Sequence, residues 1–69
     1  MTQNEIQTMK ARADKMRSKK PELRFGQAMM IALKGVSETT FNRISQTEDS
    51  PFYDDRRIPD FLRALERDL

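Results

Sequence analysis

Apolar residues in this chain recur every three or four positions and nowhere alternate, and that pattern confines the fold to packed helices. The clearest instance is the C-terminal run Ile58, Phe61, Leu62, Leu65 and Leu69, at i, i+3, i+4, i+7 and i+11. Phe25, Met29, Ala32 and Leu33, broadened by Ala28 and Met30, repeat it mid-chain, and Ile6, Met9, Ala13 and Met16 repeat it near the start. There is no strand-like alternation, no internal repeat and no low-complexity tract. The expected class is all-α: a compact three- or four-helix domain spanning 1–69. The apolar side chains available to a chain of 69 residues close one thin core, near the lower limit for folding without staples.

Local signals set the expected boundaries. Thr2-Gln3-Asn4-Glu5 reads as a capping box, which starts a helix over about 3–19. Arg17, Lys19 and Lys20 sit at its negative dipole end, and Pro21 stops it. Pro21 also suits the first position of a second helix over about 22–34, with Gly35 as a left-handed C-terminal cap. Within it, Gly26 costs roughly 1 kcal/mol against Ala, which points to a close approach by another backbone. Ser37 is an N-cap for a short helix over about 38–45 that turns Phe41 and Ile44 inward. The polar stretch 46–51 leads to an aromatic turn. Pro59 then confines the start of the last helix to between Asp55 and Ile58. Phe25, Met29, Leu33, Phe52, Phe61, Leu62 and Leu65 are expected to be buried together, with the second and last helices as the core. The thin Met/Ala stripe of residues 3–19 suggests a peripheral N-terminal helix over a 22–69 core.

Missing residue types narrow the chemistry. The chain has no Cys and no His, which removes disulfides, thiolate metal sites, the usual proton shuttle and the commonest protein nucleophile. A reducing, cytoplasmic location is the natural expectation, with neither a membrane span nor a secretory signal. The acidic set Glu48, Asp49, Asp54, Asp55 and Asp60 lacks the alternating ligand spacing of a calcium loop, since Pro51-Phe52-Tyr53 interrupts it. Capping and solvation account for those acids. No enzyme activity, metal or cofactor is expected.

Net charge is +2, but residues 1–24 carry a balance of +4 and residues 36–69 a balance of −3. A basic front and an acidic back can meet two different surfaces or attract each other. Lys10, Arg12, Lys15, Arg17, Lys19 and Lys20 form a basic face on the first helix, which reads as a solvated face or as a contact for an acidic partner. Gln27 to Ile44 resembles a helix-turn-helix, which would put Glu38, Thr39, Asn42 and Arg43 toward bases. Ile31 replaces the small residue usual there, Lys34 replaces an apolar one, and Arg43 is the only cation it would offer to phosphates. A DNA-binding regulator is therefore the alternative reading, and specific nucleic-acid binding is not expected.

Ser50-Pro51-Phe52-Tyr53-Asp54-Asp55-Arg56-Arg57 is the most distinctive stretch. Phe52 reads as a core plug and Tyr53 as a ring that can be buried with its hydroxyl wet. Asp54 and Asp55 read as helix caps, or with Arg56 and Arg57 as a polar rim around an aromatic anchor of hot-spot composition. The partner-binding candidates are Tyr53, Arg56 and Arg57, with Lys15 and Lys19 steering the encounter.

Leu23-Arg24-Phe25-Gly26-Gln27 and the apolar run after it, followed by Ser50-Pro51-Phe52-Tyr53-Asp54-Asp55 and Ile58-Pro59-Asp60-Phe61-Leu62, resemble a group of short, uncharacterised bacteriophage and bacterial proteins. Their pattern is an Arg-x-Gly-Gln helix, a variable link, an Asp-Pro-Phe-Tyr-x-Asp turn and a final helix. The match covers about residues 21–65 and departs from the pattern at Ser50, where Asp is usual, and in the polar 37–46 stretch. The resemblance implies a phage or prophage origin and a shared fold more than an activity. It suggests a small accessory or inhibitor that docks on and modulates a host or defence protein.

Overall fold

The computed structural model describes residues 1–67, so Leu69, the last member of the C-terminal apolar run, lies outside the described residues. Four helices follow in order: α1 (Gln3–Lys19), α2 (Phe25–Val36), α3 (Glu38–Ser45) and α4 (Ile58–Arg67), the last preceded by a 3-10 turn at Asp55–Arg57. No strand occurs among the described residues. The class is all-α, as the apolar periodicity requires. Among the described residues no helix is long and apolar enough to cross a membrane.

The capping box at the start of α1 is complete. The Glu5 N–H donates to the Thr2 hydroxyl at 3.1 Å, and the Thr2 N–H donates to the Glu5 carboxylate at 2.8 Å. Ser37 caps α3 by accepting from the Thr40 N–H at 3.3 Å.

Helix α2 is where the structure departs from local reading. It begins at Phe25, not at 22, and its N-cap Arg24 makes no side-chain cap bond. One orphan donor of its first turn is instead served from elsewhere in the chain, since the Gly26 N–H donates to the Asp55 carboxylate at 2.9 Å. Residues 21–23 form a turn, held by the Leu23 N–H on the Lys20 carbonyl at 3.0 Å and by Arg17 on the Leu23 carbonyl at 3.1 Å. At the other end Gly35 is no left-handed cap. No glycine has positive φ, and the helix runs through Gly35 to Val36, where the Ser37 N–H closes on the Leu33 carbonyl at 2.8 Å. One residue, Ser37, therefore ends α2 and starts α3.

The core is a single cluster drawn from all four helices: Ile6, Met9 and Ala13 of α1, the buried face of α2 from Ala28 to Leu33, Ile44 of α3, and Phe61, Ala64 and Leu65 of α4. Helix α1 is thus not peripheral, and with α2 it forms the most closely apposed pair. Its stripe, read from sequence as thin packing, buries Ile6, Met9 and Ala13. Arg12 of α1 lies beside Gly35 of α2 while Arg17 stacks over Phe25 at 4.4 Å from the ring centroid, so the pair is antiparallel. Met29, Leu33, Phe61 and Leu65 are buried as expected, whereas Phe25, Phe52 and Leu62 are half-buried against the cluster. The plug from the aromatic turn is Pro51, which is fully buried, and not Phe52.

Candidate functional site

The aromatic turn carries the most exposed large apolar residue and is also the most firmly braced irregular segment. The Asp54 N–H donates to the Pro51 carbonyl at 3.3 Å, closing a four-residue turn with Tyr53 near its tip. The base of this turn rests on Gly26. A Cβ at that position would stand 2.2 Å from the Pro51 carbonyl oxygen and 2.9 Å from both the Pro51 Cβ and the Asp55 carboxylate. Only glycine admits this approach, as the sequence suggested.

Polar contacts tie the same two segments together. The Arg24 guanidinium donates to the Phe52 carbonyl, and its Nε lies 3.9 Å from Asp55 Oδ1. Asp55 accepts from Gly26 as well, so it caps α2, 29 residues earlier in the chain. Asp54 caps the 3-10 turn: its Oδ1 accepts from the Arg56 N–H at 3.0 Å. The Arg56 side chain adds a two-pronged contact, Nε to Oδ1 at 3.0 Å and Nη2 to Oδ2 at 3.1 Å. The Arg56 guanidinium first, then the Arg56 N–H, hold the Asp54 carboxyl below its ordinary value.

Tyr53 lies outside this brace. It is 87% exposed, so its ring is not buried with a wet hydroxyl, as the sequence reading allowed. Its one ring contact is edge-on with Phe52, at 4.8 Å between centroids and 71° between planes. Tyr53 and Phe52 form one wall of an apolar groove of about 280 Å³, whose other walls are Met30 of α2 and Phe41 and Ser45 of α3, with Ser50 at its end. Phe41 was read from sequence as an inward residue. It is half-buried, with one edge lining the groove and Lys34 Nζ 5.6 Å from its ring centroid. No local spacing places Met30 and Phe41 on one surface, because α3 sets off from α2 at Ser37.

The remaining candidates fall on two other patches. Arg56 and Arg57 line a shallow depression with Asp54 and Asp60. Lys15 and Lys19 line another with Arg12 and Met16 on α1. The structure therefore places Tyr53, the Arg56–Arg57 pair and the Lys15–Lys19 pair on three separate surface features, the first two adjacent in the chain. In the helix-turn-helix region Thr39, Asn42 and Arg43 are exposed, but α2 and α3 are separated by Ser37 alone, where that motif has a turn of about three or four residues. No group of three acidic residues among those described converges as metal ligands would.

Comparison of the chain with protein-family models, with curated proteins and with solved structures returns no match.

Proposed function

We propose that this chain is a non-catalytic protein-binding module that docks on a larger protein through the Tyr53 turn. The observation that carries the reading is an 87%-exposed tyrosine on a turn whose base is locked to α2. A solvated aromatic ring gains by desolvation when it enters a partner's pocket, and a pre-set backbone spares the ordering entropy of binding. The neighbouring groove, with half-buried Phe41 and Phe52 over buried Met30, offers an apolar surface beside that anchor. Arg56, fixed by Asp54, supplies the polar rim. The phage-type part of the proposal, an accessory or inhibitor acting on a host or defence protein, rests on the resemblance of the Arg24–Gln27 and Ser50–Asp55 segments. Those two segments contact each other directly in the fold.

The test is affinity capture from a bacterial lysate with the parent and Tyr53→Ala in parallel, followed by binding kinetics on the protein retained. Tyr53→Ala should weaken binding by about 1–2 kcal/mol or more, a loss of roughly 5- to 30-fold, while circular dichroism stays at the parent level. A folded Tyr53→Ala protein that binds like the parent would remove the turn from the interface.

A further inference from the structure

Helix α1 holds three cations that the fold does not use. Arg12, Lys15 and Lys19 fall within about 60° of one another around the helix and span about 10 Å along it, at 3.6 residues per turn and 1.5 Å per residue. None of the three forms an ion pair among the described residues, in contrast to Arg24, Arg56, Arg63 and Arg67, each within 4 Å of an aspartate. Asp14 lies on the opposite flank of α1 by the same geometry. Glu5, nearer the stripe, is two turns away and occupied by Thr2. Between the cations sits half-buried Met16, and together the four side chains line a depression of about 250 Å³.

This stripe continues onto α2. The Arg12 guanidinium lies 3.3 Å from where a Gly35 side chain would begin. One turn before Gly35 on the exposed side of α2 stands Ile31, 44% exposed and, with Tyr53, one of two large apolar residues left in solvent among the described residues. An isoleucine pointing outward on an otherwise well-packed helix has no role in the core.

We propose that this outer face of α1 and α2 (Arg12, Lys15, Met16, Lys19, Ile31 and Gly35) docks an acidic amphipathic helix of a partner protein. The inference rests on the protein-binding reading above but not on Tyr53. Carboxylates spaced i, i+3 and i+7 on a facing helix match the cation spacing, and one apolar side chain between them covers Met16 and Ile31. Charge complementarity of this kind steers encounter and fixes register. A phosphate backbone uses the cations but gives Met16 and Ile31 nothing to contact. A lipid surface needs a broad apolar face, and that face of α1 is spent on Ile6, Met9 and Ala13 in the core.

The full chain, 15N-labelled, is titrated with a three-turn helical peptide bearing Glu at i, i+3 and i+7 around a Leu, and with the same peptide carrying Gln for Glu. The amide signals of residues 12, 15, 16, 19, 31 and 35 should move, and the Gln peptide should bind about tenfold more weakly. Ile31→Ser, at an exposed position that leaves the fold intact, should weaken the acidic peptide several-fold. Lys15→Glu with Lys19→Glu should reverse the preference toward a Lys-bearing peptide. Absence of shifts at millimolar peptide overturns the proposal. A short DNA duplex or phosphatidylserine vesicles moving the same signals at lower concentration than the peptide would also overturn it, and would name the other class. Loss of peptide binding in Tyr53→Ala would overturn it too while supporting the Tyr53 turn as the protein-binding surface; Tyr53→Ala that loses the lysate partner yet binds the peptide unchanged supports both.

Discussion

The two ends of this domain dispose of their charges in opposite ways. From Asp49 onward three of the four described arginines pair locally, Arg56 on Asp54 at 3.0 Å, Arg63 on Asp60, and Arg67 on Asp49 at 3.7 Å, with Arg57 the exception. In α1, by contrast, Arg12, Lys15 and Lys19 face outward beside Met16 with no such partner among the described residues. The packing does not follow that difference: both ends bury large side chains, Phe61 and Leu65 of α4 and Ile6 and Met9 of α1. The acidic half thus pairs most of its arginines internally, while the basic half turns three of its cations outward. Exposed ion pairs contribute only about 0–1 kcal/mol each, so the pairing in the acidic half matters less for stability than for what that surface can offer a partner.

The largest expected effect comes from removing a large side chain that the acidic half buries. Phe61→Ala leaves a cavity at the centre of the cluster and should cost about 3–5 kcal/mol. That approaches the whole stability of a domain this small, so the variant should be largely unfolded at room temperature by circular dichroism. A cooperative melt at the parent temperature would mean that α4 is not part of the core.

The joint between the halves comes next. Gly26→Ala should gain about 1 kcal/mol from helix propensity, yet its methyl group would stand 2.2 Å from the Pro51 carbonyl oxygen. That neighbour is backbone and cannot rotate away, so the turn must shift and the Asp55 cap on Gly26 must lengthen. Overpacking of this kind costs about 1–3 kcal/mol, which outweighs the propensity gain. Urea denaturation should show a net loss in stability. A gain would show that the Pro51 turn yields at little cost and that the two halves are not locked together at Gly26.

These two residues also mark what could and could not be read from the sequence. The four helices, the capping box at Thr2 and Glu5, and the burial of Phe61 and Leu65 were legible because each depends on residues within two turns of one another. Gly26 was legible as a close approach because glycine inside an apolar helix has few other reasons. Its partner was not, since Pro51 and Asp55 are more than twenty residues away and a proline in a polar stretch reads as a turn, not as a core plug. The start of α2 was misplaced for the same reason: its cap comes from Asp55, and local rules see only Pro21 and Glu22. At the candidate site, composition singled out Tyr53 and Arg56. The groove between Met30 and Phe41 depends on how α3 folds back from Ser37, which no local spacing encodes.

On the braced turn itself, stability and binding should separate. Tyr53 touches little besides the edge of Phe52, so Tyr53→Ala should change unfolding free energy by about 0.5 kcal/mol or less. Thermal melts of the two proteins should nearly superimpose. A loss of several kcal/mol would assign the ring to the fold and would remove the basis for treating it as an anchor.

The smallest expected effect concerns the charge pairing that defines the acidic half. Asp54 is held below its ordinary value of 3.8, chiefly by the Arg56 guanidinium and next by the Arg56 N–H. A carboxyl with a depressed native pKa is ionised in the folded state when the unfolded chain has begun to take up protons. The folded state is therefore favoured fully above about pH 4, and that share fades as pH falls through the native value. Asp54→Asn keeps an N-cap oxygen for the Arg56 N–H but removes the charge and the second acceptor facing Arg56 Nη2, so it should be slightly less stable than the parent at pH 7 and converge with it on acidification. Glu5 provides the matching probe in the basic half. Its carboxyl is also lowered, first by the Thr2 N–H, with no arginine involved. Added salt should therefore shrink the Asp54→Asn difference at pH 7 more than the Glu5→Gln difference, because a guanidinium–carboxylate pair in solvent is screened and a capping hydrogen bond is screened less. Equal salt sensitivity in urea midpoints would show that the Arg56 pair adds nothing beyond the cap, leaving Arg56 as available to a partner as Lys15 and Lys19.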